Sequence, residues 1–262
     1  VNLILLDNDS SYPPLLAYYQ SLLSEPANRF IKVIMLGENL GHQALWRSGA
    51  LRRLGIGTCF VYTDPDIVPV DECPTDVIEV FWQIMNQNPF VQKVGFGLKI
   101  GDIPDCFGKK NEILAHEGRL WDHQLPGRLP EQYLAPIDTT FALYRHGNYY
   151  EVPHSIRTGQ PYLARHTDWY IDTGTLVEET QYYFDHSAQD VSWTQKLLDK
   201  KSDTTAVAQA EVKKEVTAKP TNELDSLAAS LKKDTTTSTQ ANDERLAEFK
   251  KNNPLFGVLN VY

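Results

Sequence analysis

Short apolar runs alternate with amphipathic stretches along the first three-quarters of the chain. Apolar runs of strand length occupy 1–6, 31–36, 59–62, 91–100 and 137–144. Between them, apolar residues recur at the three- and four-residue spacing of a helix face. The helices predicted from this spacing span 13–23, 42–54, 76–86 and 113–121. Strands alternating with helices at these intervals predict an α/β fold with a mainly parallel sheet between helical layers.

The pattern stops after about Leu198 and divides the chain into three parts. Residues 1–198 carry the α/β pattern. Residues 199–250 are rich in Lys, Asp, Thr, Ala, Ser and Gln, and such a composition buries too little apolar area to offset chain entropy. We therefore expect 199–250 to be a disordered linker or tail. Residues 251–262 are apolar again and either begin another module or dock back onto the first part.

Composition and charge exclude several classes of protein. The net charge is −9 and the pI is about 5.3, whereas a nucleic-acid binder needs a basic face to neutralise phosphates. No apolar run has the length of a membrane span, and the apolar start lacks the basic residue of a signal peptide. The three cysteines form no CxxC pair, so we expect reduced, mostly buried thiols in a cytoplasmic protein.

The sharpest chemical feature is Asp64-Pro65-Asp66, directly after a predicted buried strand. Carboxylates two residues apart on an extended segment point to opposite faces, but the intervening proline bends the chain and lets both approach one site. Oxygen ligands of this kind suit Mg²⁺ or Mn²⁺. In open α/β sheets, ligands bind outside the carboxyl ends of strands, where this motif lies. The alternative is a pair of solvated turn aspartates.

Two further carboxylates lie at strand ends. Asp7, followed by Asn8, ends the first predicted strand and either accepts hydrogen bonds from a nucleoside or caps the next helix. Asp138 begins the 137–144 strand and is a candidate general base for an acceptor hydroxyl. Its alternative role is that of a strand-edge turn residue.

A dense polar and aromatic segment spans 156–170. Arg157 and Arg165 are suited to phosphate groups, and the aromatic residues are suited to sugar rings. His166 is a candidate metal ligand or phosphate contact, although a single histidine is more often structural.

Six sequence blocks in order resemble the GT-A glycosyltransferases, near the large family 2 of inverting enzymes. The blocks lie within about 1–195 and read LLDNDSSYPPLL, LGENLGHQALW, FVYTDPDIVP, KVGFGLKIGDIPD, APIDTTFALYR and RTGQPYLARHTDWY. The resemblance implies a Rossmann-type, three-layer GT-A domain. Such enzymes begin with a strand and helix that precede the strand at 1–6, so we expect this domain to lack its first strand–helix unit.

The resemblance also implies an activity and its participants. The activity is metal-dependent transfer of a sugar from a nucleotide-sugar donor to a glycan, lipid-linked or protein acceptor. The cofactor is Mn²⁺ or Mg²⁺, and the location is cytoplasmic or peripheral to a membrane. Asp138 is the preferred base, with Asp105 and Asp168 as the other candidates. The donor-binding residues are Asp7, Asn8, Gly41, His42, Asp64, Arg157 and Arg165, and the metal ligands are Asp64, Asp66 and His166.

Two other functions remain open at the level of sequence. The first is a non-catalytic domain that binds sugar nucleotides or glycans, which the missing first unit favours. The second is a nucleotidyltransferase, which also uses paired carboxylates and Mg²⁺. That class usually carries a Gly-rich, basic loop after its first strand, and the chain shows no such loop there.

Overall fold

The computed structural model describes residues 2–146, 154–172 and 174–186, together with the backbone of 256–261. The strands are β1 (Asn2–Asp7), β2 (Ile31–Met35), β3 (Phe60–Thr63), β4 (Ile67–Pro69), β5 (Lys93–Leu98), β6 (Gln124–Leu125), β7 (Gln132–Leu134), β8 (Ala142–Tyr144), β9 (Ser155–His166) and β10 (Phe256–Val261). The α-helices are α1 (Pro13–Ser24), α2 (Ala44–Arg47), α3 (Ala50–Arg53), α4 (Val77–Gln87), α5 (Lys110–Gly118) and α6 (Glu178–His186). Short 3₁₀ turns occur at Pro26–Asn28, Gly41–Gln43, Arg119–Trp121 and Thr167–Tyr170.

Within the described residues, ten strands form one mixed sheet. Its order is β2-β1-β10-β3-β8-β5-β9-β7-β6, and β4 pairs with β9 outside that path. The half made of β2, β1, β10 and β3 is parallel throughout. Strand β8 then runs antiparallel to both β3 and β5. The α/β prediction is confirmed, and the sheet is compatible with a Rossmann-like arrangement.

Strand β10 takes a central place in the sheet although it comes last along the chain. It pairs in parallel with β1 on one side and with β3 on the other. The apolar run at 251–262, whose placement the sequence left open, therefore contributes its residues 256–261 to the same sheet. Residues 187–255, including the predicted linker at 199–250 and the boundary at 198, lie outside the described residues.

Side chains of β1 alternate between two helical layers. Ile4 packs in a cluster with Leu45 of α2 and Ala50 of α3, whereas Leu5 packs with Tyr19 of α1. Successive side chains of a strand point to opposite faces, so α1 and the α2–α3 pair cover opposite faces. Both faces must be covered because parallel strands are normally buried on both sides.

Two predicted elements differ from the observed ones. The helix expected over 42–54 is a 3₁₀ turn followed by two short helices, because Gly49 between them adopts a positive φ of 69°. The strand expected over 137–144 begins only at Ala142, and its earlier residues form a loop. The predicted helix end near Gly55 is confirmed by the positive φ of 62° at that residue.

The cysteines and the helices bear on two further expectations. All three cysteines are free thiols, but Cys59 and Cys73 are only partly buried and Cys106 is exposed. The expectation of mostly buried thiols is therefore wrong. None of the helices in the described residues is long and apolar enough to cross a membrane.

Candidate metal and ligand site

A cavity of about 640 Å³ extends from the carboxyl ends of β1 and β3 along the face of β1 that α1 covers, where Leu5, Leu15 and Tyr19 line it. Asn8, Asp9 and Ser10, which follow β1, line it together with Pro65 and Asp66, which follow β3. Helices α1 and α6 contribute further lining residues. The cavity thus occupies the region where open α/β sheets bind their ligands, and its volume suits a small molecule.

Asp66, His166 and Asp168 come together beside this cavity. One ligand atom from each lies within 4.8 Å of the others, and Asp66 and Asp168 line the cavity. The pairing of β4 with β9 sets Ile67 opposite His166 and so brings Asp66 to the end of β9. The backbone N–H of Thr167 donates to the Asp66 carbonyl at 2.7 Å and holds the two segments in register.

Three polar atoms around the cavity are buried without a hydrogen-bond partner among the described residues. They are Asp66 Oδ1, His166 Nδ1 and Ser10 Oγ. His166 Nδ1 lies 3.3 Å from Asp66 Oδ2, but the two do not meet in hydrogen-bonding geometry. Buried polar atoms normally have hydrogen-bond partners. These three atoms are therefore suited to contact a metal ion or another ligand that is not part of the chain.

The donor set fits a divalent cation. Two carboxylates and one imidazole are available, and oxygen-rich sets suit Mg²⁺ and Mn²⁺. The ring of His166 stacks on Trp169 at 4.8 Å with planes 7° apart, which restrains the orientation of the imidazole. The cluster therefore has the composition and part of the rigidity of a metal site.

Asp64 contacts a different part of the chain from Asp66. Its Oδ2 accepts a hydrogen bond from the Thr139 hydroxyl, and its N–H donates to the Thr139 carbonyl at 2.9 Å. Asp64 is not part of the three-residue cluster, and Pro65 is the lining residue between the two aspartates. The three-residue cluster therefore contains Asp66 but not Asp64, which contacts Thr139.

Asp7 is fully buried, and both of its oxygens are occupied. Oδ1 accepts from the Ser10 N–H and Oδ2 from the Tyr19 hydroxyl, each at 2.8 Å. Burial, followed by the hydrogen bond to Asp7, raises the pKa of Tyr19 well above its usual value, so this hydroxyl stays a donor. The bond from the Ser10 N–H makes Asp7 a turn residue, but Asp7 does not cap α1, whose N-cap position is Tyr12 and which has no side-chain cap.

Asn8 lines the cavity and holds the next loop in place. Its amide donates to the Gly41 carbonyl at 3.2 Å and its Oδ1 accepts from the Leu40 N–H at 3.1 Å. The His42 carbonyl accepts from the Tyr62 hydroxyl at 2.8 Å. Asn39, instead of Gly41 or His42, is the lining residue from this loop.

Arg157 lies in the protein interior and does not line the cavity. It is 3% exposed, and its guanidinium donates to Glu117 Oε2 at 2.6 Å and to the Pro136 carbonyl at 2.7 Å. This geometry does not meet the expectation that Arg157 binds the donor, because its guanidinium is buried and already forms an ion pair with Glu117. Its contact with Pro136 anchors the loop that carries Thr139.

Arg165 and Asp138 also lie away from the cavity lining. Arg165 pairs with Asp102 at 2.7 Å on the exposed side of β9. Asp138 is exposed on the loop before β8, beside Thr139. Neither residue belongs to the three-residue cluster.

Sequence reasoning gave no metal role to Asp168 and missed the contribution of α6. The available signal was the short spacing His166-x-Asp168, which places an imidazole and a second carboxylate near the end of the same strand. Tyr182 of α6 packs on Tyr12 with ring centroids 4.8 Å apart and meets the Ser11 hydroxyl at 3.0 Å. This contact places α6 along the wall of the cavity.

Comparison of the chain with known proteins gives no match. No protein-family model, no curated protein and no solved structure matches it. The functional argument therefore depends on the cavity and its side chains.

Proposed function

We propose that this chain is a GT-A-type glycosyltransferase that uses a divalent cation and a nucleotide-sugar donor. It transfers the sugar to an acceptor hydroxyl, with inversion at the anomeric carbon. The observation that carries the proposal is the group of Asp66, His166 and Asp168 beside a cavity at the carboxyl ends of β1 and β3.

The chemistry of the cavity supports a phosphorylated ligand that brings a cation. Asp9, Asp66, Asp168 and Glu179 line it, so an anionic ligand would be repelled unless a cation offset that charge. Mn²⁺ or Mg²⁺ held by Asp66, His166 and Asp168 would stabilise negative charge on a leaving diphosphate. The carboxylates attract the cation, but without it they would repel the phosphate groups of the nucleotide.

The chain's own residues have distinct proposed roles. Ser10 Oγ offers a hydrogen bond to the bound nucleotide, because it is buried beside the cavity without another partner among the described residues. The side chains of Tyr12 and Tyr182 offer aromatic surface along the same wall. Asp64 positions the loop through Thr139. The proposed base is Asp138, which is exposed on that loop outside the cavity lining, so this role requires the acceptor hydroxyl to bind beside that loop.

The proposal is tested by nucleoside diphosphate release from a panel of UDP- and GDP-sugars with Mn²⁺. We expect Mn²⁺-dependent release, to water or to an added acceptor. The Asp66→Ala variant should lose at least roughly 100-fold in rate at saturating Mn²⁺, the scale lost with one group that stabilises transition-state charge.

Asp122→Asn is the matched control, because Asp122 is an exposed carboxylate outside the cavity lining. It should retain the parent's rate. Equal rates for Asp66→Ala and the parent would remove Asp66 from the mechanism. Release of pyrophosphate from a nucleoside triphosphate would indicate nucleotidyl transfer instead.

A further inference from the structure

Strand β10 is the only described strand that joins β1 to β3. The two strands form no ladder with each other in the described sheet, because β10 lies between them and pairs with both. Its backbone therefore supplies hydrogen bonds to the half-sheet β2–β1 on one side and to β3 on the other. A strand paired on both sides leaves a full row of unpaired groups on each neighbour when it detaches.

The register of β10 leads its carboxyl end into the candidate site. Val261 is paired with Asp7, and Leu259 is paired with Thr63. The loops that begin after Asp7 and Thr63 both line the cavity, through Asn8 to Ser10 and through Pro65 and Asp66. The distance between the two loops is therefore set by the strand between them.

Detachment of β10 would move the loops after β1 and β3 by more than the range of distances over which a hydrogen bond forms. Neighbouring strands lie about 4.8 Å apart, so β1 and β3 are separated by about twice that distance. If β10 left and the gap closed, the loops would move by roughly one strand spacing relative to each other. A ligand that contacts both loops in the present arrangement could not do so after that shift.

We propose that docking of Phe256–Val261 between β1 and β3 assembles the candidate site, so that strand docking and ligand binding stabilise each other. Residues 187–255 separate this strand from α6 along the chain, and docking fixes the backbone of the six residues of β10 at an entropic cost. Ligand binding offsets that cost, because a ligand that binds only the docked form shifts the equilibrium toward it. The identity of the ligand, a nucleoside diphosphate with Mn²⁺, rests on the proposed function.

Hydrogen exchange of the full chain, followed by mass spectrometry, tests this coupling. The backbone amides of 257–261 are measured without ligand, with Mn²⁺ alone and with Mn²⁺ plus UDP or GDP. At a ligand concentration of 100 times Kd, the linkage predicts up to about 100-fold slower exchange in β10. Mn²⁺ alone should act mainly on the peptides containing Asp66 and 166–168, because the cluster does not include the loop after β1.

The two proposals fail in different ways in this experiment. If nucleotide and Mn²⁺ protect 166–168 but leave β10 exchange within twofold of the ligand-free rate, the coupling is overturned and the proposed function survives. If no nucleotide protects either segment, the proposed function fails, and the assembly claim is decided without ligand by the variants below.

Val258→Pro removes a backbone N–H from the middle of β10, and Val258→Ala is the matched control that keeps it. We expect the proline variant to speed exchange in β1 at least tenfold more than the alanine variant does. Strands β5 and β9, which do not pair with β10, report whether the rest of the sheet stays folded. Equal β1 exchange in the two variants, or β10 exchange at the unprotected rate in the parent, would overturn the assembly claim.

If Val258→Pro unfolds the chain altogether, the parent under increasing urea decides the question. Assembly by β10 predicts that β10 and β1 open together at lower urea than β5 and β9. Opening of β10 alone, with β1 still protected, would overturn it.

Discussion

At the scale of single residues, two aspartates that are two positions apart serve different neighbours. Asp64 bonds to Thr139 on the loop before β8, whereas Asp66 lies with His166 at the end of β9. The sequence predicted a shared site because Pro65 was expected to bring both carboxylates together. Which carboxylate meets which partner depends on β8 and β9, the strands that pair with β3 and β4, and these come from distant parts of the chain.

The buried Asp7–Tyr19 hydrogen bond gives a prediction at this scale. Tyr19→Phe removes the hydroxyl that donates to Asp7 Oδ2 and leaves a fully buried carboxylate short of one partner. We expect the free energy of unfolding to fall by about 1.5–3 kcal/mol, the usual range for hydrogen bonds to charged groups. Urea denaturation of the variant and the parent measures this loss.

Tyr18→Phe is the control for that measurement, because its side chain is 56% exposed. It removes the same hydroxyl from the same helix and should change the unfolding free energy by less than about 0.5 kcal/mol. Similar losses for Tyr18→Phe and Tyr19→Phe would show that the Asp7 contact contributes little.

At the scale of elements, β9 was the main strand that the sequence did not reveal. Residues 156–170 are polar and aromatic without clean alternation, so they were interpreted as a binding segment. In the structure, β9 pairs with β5, β7 and β4 along different parts of its length. A strand with several partners is buried along much of its length, and two-residue alternation of polar and apolar positions disappears in such strands.

Glycine 95 in β5 provides a prediction at this scale. A Cβ at Gly95 would lie 2.6 Å from the Phe141 carbonyl oxygen and 2.7 Å from Ala142 Cβ, so backbone would have to move. We expect Gly95→Ala to destabilise the fold by about 1–3 kcal/mol, as overpacking of a core does. Thermal unfolding measures the effect.

Gly101→Ala is the matched control, since a Cβ there meets nothing within 4 Å and φ is not positive. Its melting temperature should be that of the parent or slightly higher, because alanine restricts the unfolded chain more than glycine does. A melting temperature for Gly95→Ala equal to that of Gly101→Ala would contradict the close approach of β5 and β8.

At the scale of the whole molecule, charge networks connect elements that are distant along the chain. The Asp102 carboxylate accepts hydrogen bonds from the Tyr170 hydroxyl at 2.6 Å and from the Arg165 guanidinium at 2.7 Å, and Lys99 Nζ lies 3.1 Å from it. Partial burial acts to raise the pKa of Asp102, but these hydrogen bonds outweigh it and lower that pKa to about 2. The network ties the end of β5 to β9 and to the turn that carries Asp168.

This network predicts a loss of stability in acid. The folded-state pKa of Asp102 is below its unfolded value of 3.8, so its contribution is complete above about pH 4 and is lost as the pH falls toward 2. Urea midpoints of the parent should therefore exceed those of Asp102→Asn at neutral pH, and the difference should shrink between pH 4 and 2. A difference that stays constant across that range would contradict the assignment, and Asp122→Asn serves as the exposed control.

Local pattern by itself determined much of the α/β organisation. Apolar runs placed β1, β2, β3 and β5 within two residues of their observed ends, and helical spacing located α1 and α4. The strand-end position of Asp66 and the candidacy of His166 also followed from sequence. These features depend on contacts between near neighbours, whose spacing a sequence records directly.

Only the tertiary structure decided the order of the strands and the composition of the cluster. It placed β10 between β1 and β3, buried Arg157 against Glu117 and added Asp168 to Asp66 and His166. The physical reason is that a strand's hydrogen-bonding groups are the same for every partner, so local periodicity does not specify which strand lies beside which. That choice is made by burial and pairing across the whole sheet.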